Sequence, residues 1–156
     1  MRTIVVGLGN PIMGDDGIGA RLVDRLKGDF PAWIFEKVIA VGWELLDLCA
    51  DFDRLVILDA MKIGEPTGTV RRFPDFKAGA TLHLAASHGL DLFTSVELGK
   101  ILYPHFPAEV VVYGIEVENP FDFHEGFTPV VKEKLEDIVE AIKKELSALS
   151  NQPVTT

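Results

Sequence analysis

The chain has 156 residues, of which 47% are hydrophobic and 25% charged, with a formal net charge of -9 and one cysteine. That length suits one domain with a full core and is short for two. The acidic balance argues against a nucleic-acid partner, the lone Cys49 excludes an internal disulfide or a thiolate metal cage, and no apolar run reaches the roughly 18 residues of a membrane span.

The N-terminus lacks the charged flank, apolar run and cleavage site of a signal peptide, so a cytoplasmic protein with no membrane partner is expected. Residues 3–8 read as a first, buried strand that stops in a loop with two glycines, Asn10 and Pro11. From Asp16 the apolar positions Ile18, Leu22, Val23 and Leu26 recur at helical spacing and end near Gly28. Residues 34–41 read as a second strand, and Gly42-Trp43-Glu44 opens a short helix through about Ala50. The continuous run Leu55 to Leu58 has the character of a central strand and ends on Asp59. The turn cluster Gly64 to Gly68 predicts a hairpin or edge strand within residues 62–73. Residues 74–88 carry no clear period, whereas Leu90 to Leu102 reads as a helix with Leu90, Phe93, Val96, Leu98 and Leu102 available for a buried face. Val110 to Val117 is another apolar strand. Thr128 can then cap a last helix with Pro129 at its first position and Val131, Leu135, Ile138, Ile142 and Leu146 as its stripe. Strands alternating with helices predict an α/β three-layer sandwich: a twisted, mostly parallel, five-stranded sheet with helices on both faces. One domain over residues 1–150 and a fraying polar tail over 151–156 are expected.

In such a sheet ligands sit at the carboxyl ends of the strands. The right-handed crossover rule places the first strand and the Leu55–Leu58 strand side by side, so Asp16 and Asp59 share that edge. Asp15 and Asp16 also suit a helix N-terminus, where acids complement the dipole. Asp59 is less easily read that way, because an acid at a buried strand end needs a cation or hydrogen bonds. Of the four histidines, His88 precedes a helix and can return to the same edge. His83 alternates with apolar residues as a structural residue would, and His105 and His124 read as surface positions. Two carboxylates with one imidazole form a reasonable site for a borderline metal.

Gly7-Leu8-Gly9-Asn10, Asp15-Asp16-Gly17-Ile18-Gly19, Leu58-Asp59-Ala60 and Ser87-His88 resemble, in order and spacing, the hydrogenase maturation endopeptidases. Gly126 to Val131 looks like that family's C-terminal segment, so the similarity runs from about residue 3 to about residue 148. The resemblance implies an endopeptidase that removes the C-terminal peptide from the precursor of the nickel-iron hydrogenase large subunit once nickel is inserted. It places the family's three metal-contacting positions on Asp16, Asp59 and His88, with Gly9, Asn10, Asp15 and Gly17 as the supporting loop. Nickel is implied as cargo of the precursor, so the free enzyme is expected to be metal-free. No serine-histidine-acid signature or HExxH motif points to another protease class.

Three other readings compete. The Gly7 to Pro11 segment also resembles the opening of peptidyl-tRNA hydrolases, but residues 12–35 contain no histidine and the charge opposes a tRNA ligand. A nucleotide-binding module is disfavoured because the glycine spacing breaks the dinucleotide fingerprint and two aspartates would repel a pyrophosphate. A noncatalytic nickel-binding chaperone would use the same triad. Trp43, Phe121 and Phe123 are candidates for docking a partner, and the acidic loop Glu116 to Glu125 for a basic substrate tail.

Overall fold

The computed structural model describes residues 1–73 and 92–155. Strands β1 (Thr3–Leu8), β2 (Ile34–Val38), β3 (Arg54–Met61), β4 (Val70–Phe73) and β5 (Glu109–Glu116) form one sheet in the order β2-β1-β3-β5-β4. β1 pairs in parallel with β2 and β3, β3 in parallel with β5, and the edge strand β4 runs antiparallel to β5. Helices α1 (Ile18–Leu26), α2 (Trp43–Cys49), α3 (Leu92–Leu102) and α4 (Pro129–Ser150) cover its two faces. The expected three-layer architecture is therefore observed.

Alternation along the strands sorts the core into two halves, because successive side chains point to opposite faces. Val5, Val56, Leu58, Tyr113 and Ile115 pack with α1 and α4. Ile4, Val6, Leu8, Leu55, Ile57 and Val112 pack with α2 and α3. β1 and β3 are buried along their whole length, which is why their centres, Ile4 to Val6 and Leu55 to Leu58, read as continuous apolar runs.

Two strand ends and one helix face differ from the sequence reading. β2 stops at Val38, where the Val38 carbonyl accepts the Gly9 amide at 3.0 Å, and the chain turns away before Val41. β3 does not end on Asp59 but continues to Met61, with Asp59 paired to Gly114 inside the ladder. In α3 the buried positions are Leu92, Ser95, Val96 and Gly99, while Leu102 is exposed. The small residues Ser95 and Gly99 give that helix a weaker apolar signal than its packing: a Cβ on Gly99 would meet the ring of Phe106 at 2.5 Å. The expectation for Leu90 lies outside the described residues.

At the amino edge of the sheet, buried Arg54 holds Glu109 at 2.6 Å and donates to the carbonyls of Leu149 and Gln152. The cation thus closes the last turn of α4, where a helix favours positive charge. On the other face Cys49 is fully buried, and desolvation pushes its thiol up to about 12. It is therefore a small apolar core residue at neutral pH.

Candidate functional site

The site forms where β1 and β3 run out at the carboxyl edge. After Leu8 the chain passes through Gly9, whose φ of 131° lies where side chains are disfavoured. A Cβ there would lie 2.0 Å from the backbone oxygen of Asp16. The bend brings the Asn10 amide onto Asp16, donating to Oδ2 at 2.7 Å. Asp16 sits in a single 3-10 turn, Gly14–Gly17, ahead of α1, and is 5% exposed.

Close approach of α1 to the sheet sets the position of that turn. A Cβ on Gly19 would lie 2.5 Å from the Leu58 oxygen and 2.8 Å from the Leu8 oxygen, and one on Gly7 would lie 2.3 Å from the Gly19 oxygen. The helix backbone therefore rests directly on the ends of β1 and β3. Leu58 is the residue before Asp59, so the same contact that seats the Asp16 turn also meets the strand that carries Asp59. Asp59 is fully buried and, by alternation with Leu58 and Ala60, lies on the face covered by α2 and α3. Its ladder partner Gly114 presents no side chain next to it.

The structure thus brings Asp16 and Asp59 to one edge of adjacent parallel strands, as expected. His88 lies outside the described residues. The helix that follows it, α3, places its far end at the amino edge, where Tyr103 donates to Asp47 and His105 contacts Asp53 at 3.0 Å. An eleven-residue helix spans about 16 Å, so Leu92 begins α3 toward the carboxyl edge, on the Asp59 face. Among the described residues no group of three metal-ligating side chains stands together.

Asp15 has a different role from the helix cap first considered. Its carboxylate is fully buried and makes no cap within its own turn. Oδ1 accepts the Thr128 amide at 2.8 Å, and Oδ2 accepts the Glu118 amide, the Asn119 amide and the Thr128 hydroxyl at 3.1, 2.8 and 2.9 Å. Thr128 occupies the N-cap position of α4, with Pro129 in the first turn, but its hydroxyl serves Asp15 rather than the helix. Asp15 is therefore the clasp between the β1–α1 loop and the β5–α4 loop. The Gly14 amide to the His124 carbonyl, at 3.0 Å, is a second tie between the same loops.

Glu116 was grouped with the acidic surface loop, yet it is fully buried at the end of β5. Its carboxylate accepts the amides of Ile63 and Gly64 at 3.0–3.1 Å and so fixes the loop leaving β3. Met61 pairs with Glu116, so Glu116 lies diagonally across the ladder from Asp59 on the same face. The signal that found Asp59, an acid inside an apolar strand, was equally present in Val112 to Val117.

Beside this edge opens a groove of about 1080 Å³. Gly9, before the Asp16 turn, and Gly17, its last residue, contribute to its lining. Trp43, Phe121 and Phe123 are 58%, 60% and 79% exposed, so the aromatics considered for docking do reach solvent.

The fold and these acids define a three-layer α/β protein with several buried carboxylates toward the carboxyl edge of its sheet. The family model described as hydrogenase maturation protease matches residues 40–145. Among similar proteins, the Hydrogenase 2 maturation protease of Escherichia coli (strain K12) is 28% identical over 148 residues, covering 91% of this chain and 88% of that protein. The hydrogenase expression/formation protein HupD of Thiocapsa roseopersicina is 26% identical over 145 residues, and the match spans 88% of this chain and 64% of that longer protein. The solved hydrogenase maturating endopeptidase HybD from E. coli superposes with a TM-score of 0.71 at 23% identity, covering 95% of this chain and 93% of that one. The [NiFe] hydrogenase maturation protease HycI from Thermococcus kodakarensis KOD1 gives 0.69 at 23% identity, covering 94% and 92%. The chain belongs to the hydrogenase maturation protease family, a family of peptidases.

Replacing Gly9 by alanine is expected to displace Asp16, because the added Cβ meets its backbone. We expect a stability loss of about 2 kcal/mol or more and at least tenfold slower substrate cleavage. Denaturant unfolding and a cleavage time course check both; wild-type values for the pair would contradict this account of the loop.

Proposed function

We propose that this chain is an endopeptidase that removes the C-terminal peptide from the precursor of the nickel-iron hydrogenase large subunit after nickel insertion. Asp16, Asp59 and His88 meet the nickel carried by that precursor. The observation that supports this most is the placing of two buried acids, Asp16 and Asp59, toward the carboxyl edge of adjacent parallel strands in a chain of this family. Carboxylate oxygens and one imidazole suit a borderline cation already held by substrate thiolates. Donors so few hold free metal poorly, so the enzyme responds to the loaded precursor rather than to nickel in solution. The substrate's metal then serves as the template that sets the scissile bond against the enzyme.

The chain's own part is to keep these donors fixed. Asn10 orients Asp16, the Gly7–Gly19 contact seats its turn, and the β3–β5 ladder holds Asp59 without a competing side chain from Gly114. No helix among the described residues is long and apolar enough to cross a membrane. The reading places the reaction in the cytoplasm, a reducing compartment that suits one buried thiol.

Intact mass measurement of the large-subunit precursor, loaded and nickel-free, tests the proposal. The loaded precursor is expected to lose one C-terminal peptide and the nickel-free one to keep its full mass. Equal cutting of both would remove metal recognition, and binding without any mass change would favour a chaperone.

A further inference from the structure

The groove beside the Asp16 turn has features that a bare catalytic edge does not need. Its surface includes Ile12, Ile39 and Phe123, which are 60%, 60% and 79% exposed and come from three separate loops. Large apolar side chains converging from separate loops mark a binding surface rather than scattered exposure. The groove adjoins the Asp16 turn: Gly17, next to Asp16 in the chain, lines it, and so does Gly9, where a Cβ would lie 3.3 Å from the Asp16 Cγ.

Its charges are unequal in what they leave available. Lys37 is engaged by Asp24, at 3.0 Å. Arg21 meets no carboxylate among the described residues; its guanidinium lies 5.0 Å from the ring centroid of Phe127. Stacking on an aromatic face holds the planar group while leaving its N–H edge for a ligand. Glu125 also lines the groove, but it forms no ion pair with Arg21. In a chain of net charge -9, a cation kept in this way points to an anionic group on what binds there.

Resting on the function proposed above, we propose that this groove holds the peptide on the leaving side of the scissile bond. Its apolar side chains lie against Ile12, Ile39 and Phe123, and one of its carboxylates pairs with Arg21. The leaving segment is the part of the precursor that ends freely and can extend into a groove. Arg21 is five residues beyond Asp16 along the turn and α1. With side-chain reach that is on the order of 10–14 Å, or three to four residues of extended peptide at about 3.3 Å each. The carboxylate is thus a side chain or a terminus about that far beyond the cut.

The test uses the released peptide, identified by mass from the wild-type reaction and then synthesised. Titrated into the isotope-labelled full chain, it should shift the amide resonances of Ile12, Arg21, Ile39 and Phe123. Two altered peptides, one with an amidated terminus and one with its acidic side chains amidated, show which carboxylate is read. The peptide lacking that carboxylate should bind about tenfold more weakly to the wild type. Arg21→Met should show the same loss with the unmodified peptide and no further loss with the altered one. On the precursor, Arg21→Met should raise KM and leave kcat unchanged. A peptide that is released but shifts none of these resonances, or binds Arg21→Met and wild type equally, overturns the groove's role and leaves the enzyme's function standing. A wild-type protein that releases no peptide overturns the function itself, and the groove's occupant with it.

Discussion

Asp59→Asn is expected to abolish processing of the nickel-loaded precursor while the protein remains folded. Asparagine has nearly the same shape, so the β3–β5 ladder and the packing of Ile57 and Leu58 are left as they are. The change removes one negative charge, and an amide is a poor donor to a divalent cation. Losing one fixed electrostatic partner at a reacting centre costs on the order of 10²–10³ in rate. Circular dichroism and thermal unfolding should match wild type, and the precursor should keep its C-terminal peptide over the time in which wild type finishes. Normal processing by a folded Asp59→Asn protein would overturn the assignment of Asp59. Asp16→Asn should behave likewise, because the amide it accepts from Asn10 can still be received by the asparagine carbonyl.

The second large effect falls on the neighbouring acid and is of the opposite kind. Asp15→Ala is expected to destabilise the fold by about 3–5 kcal/mol, because it leaves three backbone amides and the Thr128 hydroxyl without their acceptor in a buried place. For a domain of this size that corresponds to a Tm lower by about 6–20 °C. The β5–α4 loop, and with it Phe121 and Phe123, should loosen first, visible as faster hydrogen exchange at residues 118–128. A Tm within about 2 °C of wild type would show that Asp15 is not the clasp described here. The two adjacent aspartates thus separate cleanly: one variant fails to process at wild-type stability, the other is destabilised.

How much of this was legible follows from the range of the interactions. β1, β3 and β5 were readable because strands buried on both faces are apolar through their centres, and α1 and α4 because one stripe of each is buried. The shared edge of Asp16 and Asp59 followed from adjacency of parallel strands, a rule of topology rather than of composition. Asp15 was misjudged because its partners lie 103 to 113 residues away in a loop without regular structure. Local sequence could show only that an aspartate near a helix start suits a cap. Glu116 was passed over because, although it fell within the Val110 to Val117 strand, its charge was counted with the acidic residues after it. Gly7 and Gly19 entered only as letters of the motifs, and what they do, letting α1 touch the strand ends, depends on a contact that the sequence does not display.

The claim on which the account turns is that Asp16 and Asp59 read the nickel of the substrate. The nickel K-edge X-ray absorption spectrum of the loaded precursor, frozen before turnover, tests it most directly. With wild-type protein added, the nickel should gain a shell of oxygen neighbours; with the Asp16→Asn, Asp59→Asn double variant it should not. Identical spectra with wild-type protein, with the double variant and with no protein added would contradict the claim.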